Sequence, residues 1–292
     1  MLPIVLVAFI CEVALQAIPN DYKLKRRYLD KNALQIETLI LGSSHALYGI
    51  NPEYFTTKTF NGSNISQSIN YDYQIIKKYE KDLKNLKTLI LPLSYFTLFR
   101  KLEDGTQAWR IKNYVIYYGI NTPHSFTDYS ELLSVKFELN LRRIQSNYIK
   151  NKNNITCSKL GWGNDFKSEN SKDLEKTGKT AALRHSKDST NYNENFNTLN
   201  KIIALCKKNN VKVMLLTTPT FATYRENLNK KQLQITLNAA QKMIATHDNC
   251  YYVNLFKDTS FIASDFYDAD HLNELGAKKL SLLLNKKITQ QR

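Results

Sequence analysis

The chain has 292 residues, of which 42% are hydrophobic, and carries a formal net charge of +15. That length allows one large domain or two small ones with an ample core. The charge indicates either an anionic neighbour or a lysine-rich solvated surface, and no finger, nucleotide-binding or basic-helix motif points to a nucleic-acid partner. Its four cysteines form no close pair and its five histidines show no ligand spacing, so we expect no metal and no cofactor.

The first segment, residues 2–18, is almost wholly apolar, interrupted by Glu12 and Gln16. It is at the short end for a membrane-spanning helix. No basic region precedes it and no small-residue cleavage site follows it, as a signal peptide would require. We therefore predict an uncleaved membrane anchor over residues 1–19, with a buried first helix and a cleaved signal as the alternatives.

The position of the anchor predicts a place in the cell envelope, with the rest of the chain on the extracytoplasmic face. The basic residues that follow the anchor are Lys23, Lys25, Arg26 and Arg27. Such flanks tend to stay cytoplasmic, so export requires further basic residues upstream of Met1.

Beyond the anchor, short apolar runs alternate with segments of helical spacing. The predicted strands are 37–42, 88–93, 211–216 and 251–256, with a turn or short strand near 58–60. The predicted helices are about 66–84, 195–209, 230–246 and 274–287. This alternation predicts parallel crossover units in an open α/β sheet.

Residues of about 100–192 interrupt the alternation. They contain Trp109 and Trp162, a helical stretch at 130–148 and a polar, loop-like stretch at 151–193. Core packing is favoured over sugar stacking for both tryptophans. We predict one domain over residues 20–292, with this segment as an insertion over the ligand crevice.

Four polar segments each follow a predicted strand. They are Ser44, Ser94, Thr218 and the loop 268–271. Because the ligand crevice of an open α/β sheet lies at the carboxyl ends of its strands, we expect these segments to converge on one rim.

Two of these segments supply the parts of serine acyl-transfer chemistry. A serine hydroxyl needs a base within hydrogen-bond reach and a third group that orients the base. We predict Ser44 as nucleophile, His271 as base and Asp268 as the orienting acid. Ser43 is closer to the strand and is favoured as structural. Asp270 is the weaker candidate for the acid because adjacent side chains usually point apart.

A tetrahedral intermediate also needs hydrogen-bond donors for its oxyanion. The candidates are the backbone N–H of Ser44, the loop 61–67 and Ser94. Candidates that line the substrate pocket are His45, Tyr95 and Thr218, although His45 is favoured as structural. A Gly-Ser-Ser after a strand is often only a turn, and an Asp-x-x-His is often only a helix cap, so the prediction depends on the two occurring together.

The motif Gly42-Ser43-Ser44-His45, with Asp268-Ala269-Asp270-His271, resembles the first and last blocks of the SGNH/GDSL hydrolase superfamily. The resemblance implies a flavodoxin-like three-layer α/β/α fold with Ser44, Asp268 and His271 as the catalytic residues. It places Ser66 or Gln67 at the oxyanion position of the second block. The third block, which normally supplies an Asn, here ends in Ser94.

Divergent members that combine a Gly-Ser-Ser-His motif with an N-terminal anchor resemble proteins associated with the acylation of cell-surface polysaccharides. The resemblance therefore implies a hydrolase or O-acyltransferase that acts on acyl groups, with acetyl as the expected one, of an envelope glycan. The alternatives are a glycan-binding or scaffold protein with little turnover and, more weakly, a binder of anionic polymers.

Overall fold

The computed structural model describes residues 2–122 and 125–290. The strands are β1 Thr38–Ile40, β2 Thr59–Asn61, β3 Thr88–Pro92, β4 Lys212–Thr217, β5 Cys250–Asn254, β6 Phe266–Asp268 and β7 His271–Leu272. The helices are α1 Leu2–Ala17, α2 Asp21–Asn32, α3 Ser44–Gly49, α4 Ile69–Tyr79, α5 Ile111–Asn113, α6 Glu131–Ser134, α7 Phe137–Ile144, α8 Leu174–His185, α9 Tyr192–Lys208, α10 Ala222–Glu226, α11 Lys230–Thr246 and α12 Glu274–Gln290.

The chain divides into two compact units. Unit 1 comprises Met1–Lys31 and Leu102–Thr156, and unit 2 comprises Asn32–Lys101 and Cys157–Arg292. The segment predicted as an insertion, about 100–192, is divided between the two units. Residues 102–156 belong to unit 1, and residues 157–192 belong to unit 2. The predicted anchor belongs to unit 1.

Unit 2 is built on a five-stranded parallel sheet in the order β2-β1-β3-β4-β5. This is the flavodoxin-like order, in which the chain reverses direction across the sheet between β1 and β3. The apolar runs predicted as strands are confirmed, and the short run near 58–60 is the edge strand β2.

Helices cover both faces of this sheet. On one face Ile40, Ile90 and Met214 form a buried cluster with Leu280 and Leu284 of α12. On the other, α9 contacts β4, α11 contacts β5, and α4 packs on α9. The three-layer α/β/α fold expected from the resemblance is confirmed. Leu275, at the start of α12, is exposed.

Within the stretch predicted to be loop-like, residues 174–185 form α8 instead. Asp173 caps this helix by accepting a hydrogen bond from the Lys176 N–H. Apart from His185, its buried positions are the small residues Gly178, Ala181 and Ala182, which let α8 approach α10 closely. Its two large apolar residues, Leu174 and Leu183, are nine positions apart, so the helix shows no apolar periodicity in the sequence.

In unit 1, Glu12, the one acidic residue of the predicted anchor, connects α1 to α6 through hydrogen bonds. The Glu12 carboxylate accepts hydrogen bonds from the backbone N–H groups of Glu131 and Leu132, at 2.8 and 2.9 Å, and from the Ser130 hydroxyl at 2.7 Å. These amides belong to the first turn of α6, where backbone donors have no partner within the helix. Glu12 thus serves as a cap for α6.

Among the helices of residues 2–122 and 125–290, none is on its own long and apolar enough to cross a bilayer. One pair, Pro3–Ala17 and Asp21–Gln35, reaches the required length and composition together and is bent by 63° between its two halves.

The turn after β1 depends on Gly42 and Asp72. Gly42 adopts a φ of 117°, a region that side chains disfavour, and a Cβ there would lie 3.2 Å from Pro92 Cδ. The Gly42 N–H donates to Asp72 Oδ1 at 2.9 Å, and Gln67 Nε2 donates to the same oxygen at 2.7 Å. Asp72, on α4, therefore holds the turn that leads to Ser44. Burial raises the pKa of Asp72 to about 7.

This raised pKa predicts how Asp72→Asn changes stability with pH. Between about pH 4 and 7 the folded protein keeps the carboxyl protonated while the unfolded chain ionises it. The stability that Asp72 contributes is therefore complete below pH 4 and is lost as the pH rises to 7. Asparagine retains the acceptor and does not titrate, so its free energy of unfolding, relative to wild type, should improve by about 2–3 kcal/mol from pH 5 to pH 8.

Chemical denaturation at the two pH values measures this difference. Asp82→Asn, at an exposed position just beyond α4, is the control and should show no such trend. A constant difference between wild type and Asp72→Asn would show that Asp72 does not titrate in this range.

Candidate active site

Ser44 and His271 meet across 227 residues of sequence. Ser44 is the first residue of α3, immediately after the Gly42 turn, and its side chain is half-buried. His271 opens β7, the second strand of a small antiparallel hairpin. The Ser44 Oγ lies 2.8 Å from His271 Nε2, so the two predicted groups are within hydrogen-bond reach.

Asp268 fixes the other side of the same imidazole. Its Oδ1 lies 2.9 Å from His271 Nδ1 and also accepts the backbone N–H groups of Asp270 and His271, at 3.1 and 2.9 Å. Since a carboxylate oxygen only accepts, Nδ1 carries the proton, and in the neutral ring Nε2 is free to accept from Ser44. The order Ser44, His271, Asp268 is thus a continuous line of hydrogen bonds.

Asp270 differs from its sequence-based description. We expected it to point away from His271, yet its Oδ2 lies 3.6 Å from His271 Nδ1 and 3.3 Å from His45 Nε2. The tight turn between β6 and β7 brings both carboxylates to the same side. Arg184 and His185 face the same oxygen at 3.7 and 3.8 Å. Asp268 makes the hydrogen bond to the His271 ring, whereas Asp270 contributes a second, buried negative charge.

These charges set the protonation of the site. Burial alone would lower the pKa of His271, but the charges of Asp270 and Asp268 outweigh it and raise this pKa to about 9. Burial would raise the pKa of Asp270, but the His271 charge and the hydrogen bond from His45 hold it well below its usual range. The imidazole of the resting site is therefore largely charged at neutral pH, and the form able to accept a proton increases towards pH 9.

The protonation of His45 determines the direction of the hydrogen bond between His45 and the Ser94 hydroxyl. Burial is the main cause that lowers the pKa of His45, so the ring is neutral and carries one proton. The nitrogen facing the Asp270 carboxylate, Nε2, must be the one that bears it. His45 Nδ1 is then an acceptor, and Ser94 Oγ, at 2.8 Å, donates its hydrogen to it. The Ser94 hydroxyl, predicted as an oxyanion donor, has its hydrogen engaged by His45 in this state.

In the loop 61–67, which corresponds to the second block, Ser66 is the remaining candidate for a backbone donor to the oxyanion. The Gln67 N–H is used within the loop, where it donates to Asn64 O at 3.2 Å. The Asn64 N–H in turn donates to Gly42 O, which ties the loop to the turn before Ser44. Ser66 is half-buried and has a φ of 58°, an uncommon conformation for a residue with a side chain.

The remaining pocket candidates are packed into the interior. Tyr95 belongs to a buried cluster with Tyr224 and Leu228, and its hydroxyl accepts the Asn229 N–H. Thr218 is buried as well. That Tyr95 and Thr218 line a substrate pocket stays a prediction.

Two residues of the site had no sequence signal. His185, at the end of α8, bonds through Nδ1 to the Tyr224 hydroxyl at 2.9 Å and faces Asp270. Phe166 is stacked between the rings of Tyr48 and Tyr267 and meets the His271 ring edge-on, with centroids 5.3 Å apart. Both belong to residues 157–192, so this part of the insertion does reach the site. A lone histidine and a lone phenylalanine in a polar stretch offer no pattern that would reveal them.

One group of described residues has the ligand types and spacing of a metal site. His45, Asp270 and His271 each offer an atom, and these atoms lie within 4.8 Å of one another. Each ring nitrogen of both histidines, however, already has a protein partner among Ser44, Ser94 and the two aspartates. The geometry fits a hydrogen-bond network.

No protein-family model and no curated protein matches this sequence. Among solved structures, the chain is similar to one named a GDSL-like lipase from Bacteroides thetaiotaomicron, with 12% identity, a TM-score of 0.43 and coverage of 93% of this chain and 100% of that chain. It is also similar to one provisionally named an acylhydrolase from Bacteroides fragilis, with 12% identity, a TM-score of 0.42 and coverage of 91% and 96%. A third, provisionally named a platelet activating factor from Streptococcus pneumoniae, has 12% identity, a TM-score of 0.47 and coverage of 96% and 94%. At this level of similarity, we assign roles to individual residues only from the side-chain geometry described above.

The placement of Asp270 predicts the effect of Asp270→Asn on His271. Removal of the buried charge should lower the pKa of His271 by about one to three units, towards that of an ordinary histidine. NMR titration of the histidine ring protons, with His271→Gln to assign the signal, measures the change. Asp248→Asn, an exposed carboxylate just before β5, is the control. An unchanged His271 pKa in Asp270→Asn would contradict the electrostatic role of Asp270.

Proposed function

We propose that the chain is a serine-dependent acyl-ester hydrolase or O-acyltransferase, with Ser44 as nucleophile, His271 as general base and Asp268 as the acid that orients it. The observation that carries this proposal is the line of two hydrogen bonds, 2.8 Å from Ser44 Oγ to His271 Nε2 and 2.9 Å from His271 Nδ1 to Asp268 Oδ1. This is the arrangement by which a weak hydroxyl nucleophile is activated near neutral pH.

In the first half-reaction, neutral His271 takes the Ser44 hydroxyl proton on Nε2 while Oγ attacks the carbonyl carbon of the ester. The bond to the leaving alcohol breaks, and Nε2 returns the proton to that alcohol's oxygen. Ser44 then carries the acyl group. The nearby carboxylates stabilise the imidazolium that forms in between.

In the second half-reaction, His271 Nε2 removes a proton from the acceptor, whose oxygen attacks the acyl carbon. The bond from that carbon to Ser44 Oγ breaks, and Nε2 returns the proton to Ser44 Oγ. Water as acceptor gives hydrolysis, and a sugar hydroxyl gives transfer. The backbone N–H groups of Ser44 and Ser66 are the proposed donors to the oxyanion. Both residues are half-buried, which leaves them accessible to a bound ester.

For the substrate, we propose an acetyl group on a cell-envelope glycan. For the location, we propose the extracytoplasmic face, with α1 as the anchor. The motif of residues 42–45 and the apolar leader support this proposal. The net charge of +15 suits an envelope polymer of negative charge.

A second candidate is a glycan-binding or scaffold protein with slow turnover. The observation that favours it is the bond from the Ser94 hydroxyl to His45, at the position where the third block normally supplies an Asn side chain. Without that donor the transition state can lose about 3 kcal/mol of stabilisation.

Hydrolysis of p-nitrophenyl acetate separates these candidates. Ser44→Ala should lower kcat/KM by a factor on the order of 10³ or more, because the attacking oxygen is removed. Ser43→Ala is the matched control. Ser43 precedes α3 without making a side-chain capping bond, so this variant should retain near wild-type activity.

Equal rates for wild type and Ser44→Ala would reject Ser44 as the nucleophile. A rate in the wild-type protein no higher than that of Ser44→Ala, together with glycan binding unaffected by the substitution, would favour the scaffold candidate.

A further inference from the structure

Exposed apolar side chains are concentrated in unit 1. Of the 21 large hydrophobic residues that the described part of the chain exposes, sixteen belong to unit 1 and five to unit 2. Unit 1 is much the smaller of the two. Contiguous exposed apolar surface marks a site of interaction with protein or membrane.

The first half of α1 is exposed in every direction. Ile4, Val5, Leu6 and Val7 are consecutive and all between 58% and 76% exposed. Because successive residues of an α-helix are separated by about 100°, four consecutive residues point to all sides of the helix. A protein partner with one complementary face would cover one side of this helix, whereas lipid surrounds it. The exposure therefore favours lipid as the occupant.

A second exposed segment lies in the insertion, over residues 126–149. Its exposed apolar side chains are Phe126, Tyr129, Leu133, Phe137, Leu139, Leu141, Tyr148 and Ile149. Two exposed cations, Lys136 and Arg142, lie within this segment, and Lys150 and Lys152 lie just beyond it. The exposed acidic residue of the segment is Glu138. Half of the apolar set is aromatic. Aromatic and apolar residues mixed with cations are typical of surfaces that lie at the boundary of an anionic membrane.

The two segments are held together as one body. The Glu12 carboxylate of α1 caps α6, as described above, and the Tyr148 hydroxyl donates to Ala14 O at 2.8 Å. The second half of α1 is packed, with Leu15 fully buried. A membrane that takes up the first half of α1 thus has the segment 126–149 attached to the same helix.

We propose that unit 1 binds an anionic lipid surface in two places, through α1 and through residues 126–149. This goes beyond a simple N-terminal anchor, because the insertion supplies a lipid-facing surface of its own, and it does not depend on the chemistry of Ser44.

The test is flotation of the full chain with vesicles of phosphatidylcholine, with and without phosphatidylglycerol, over a range of lipid concentrations. The variant Phe126→Ser, Phe137→Ser, Ile149→Ser removes three side chains that are 66–77% exposed. The matched control Leu183→Ser, Ile262→Ser, Leu275→Ser removes exposed apolar residues from unit 2. Circular dichroism checks that each variant is folded.

The first variant should reduce the partition coefficient about tenfold or more, and the control should leave it unchanged. Wild type should bind vesicles with phosphatidylglycerol more tightly, a preference that Lys136→Glu, Arg142→Glu, Lys150→Glu should remove. Equal partitioning of wild type and the first variant would overturn the proposal. So would wild type that fails to float but self-associates in sedimentation, with the first variant monomeric, since the surface would then be a protein interface.

Discussion

The candidate site depends on a single imidazole that is bonded on both sides. In its neutral form, His271 accepts a hydrogen bond from the Ser44 hydroxyl at Nε2 and donates from Nδ1 to Asp268. The same Asp268 oxygen also accepts two backbone N–H groups of the turn, so the position of the carboxylate and that of the ring are set by one four-residue segment. The parallel sheet places the loop of Ser44 at the reversal between β1 and β3, and Gly42 and Asp72 give the loop its turn.

A second constraint is electrostatic. Asp270 is buried among the rings of His45, His185 and His271, and of these only His271 has a pKa raised above that of an ordinary histidine. Burial keeps His45 and His185 in the neutral form. The negative charge of Asp270 is thus balanced mainly by the positive charge of His271. As a consequence, His271 is mostly protonated at neutral pH and cannot accept a proton in that form. The same carboxylate orients His45, which in turn engages the hydroxyl of Ser94. Asp270 thus links the Ser44–His271 pair to the His45–Ser94 pair.

The sheet and the meeting of Ser44, Asp268 and His271 were predictable because buried strands and strand-end motifs leave local patterns in a sequence. The roles of Asp270 and His185 were not. Adjacent residues point apart in regular structure, and only the hairpin between β6 and β7 brings Asp270 back towards His271. His185 reaches the site at the end of α8, a helix whose buried face is made of glycine and alanine. Tyr95 follows a strand, as a pocket residue would, yet packing against Tyr224 takes it into the core. Such outcomes depend on contacts between distant segments, which local patterns do not encode.

We expect His271 to activate Ser44 and no other serine. Reaction of the full chain with a fluorophosphonate, followed by mass spectrometry of the intact protein and of its peptides, tests it most directly. We expect one adduct, on Ser44, that forms faster as the pH rises towards 9 and is lost when His271 is replaced by Gln. An adduct on Ser43 or Ser94, or no adduct under conditions that label a known serine esterase, would contradict the account.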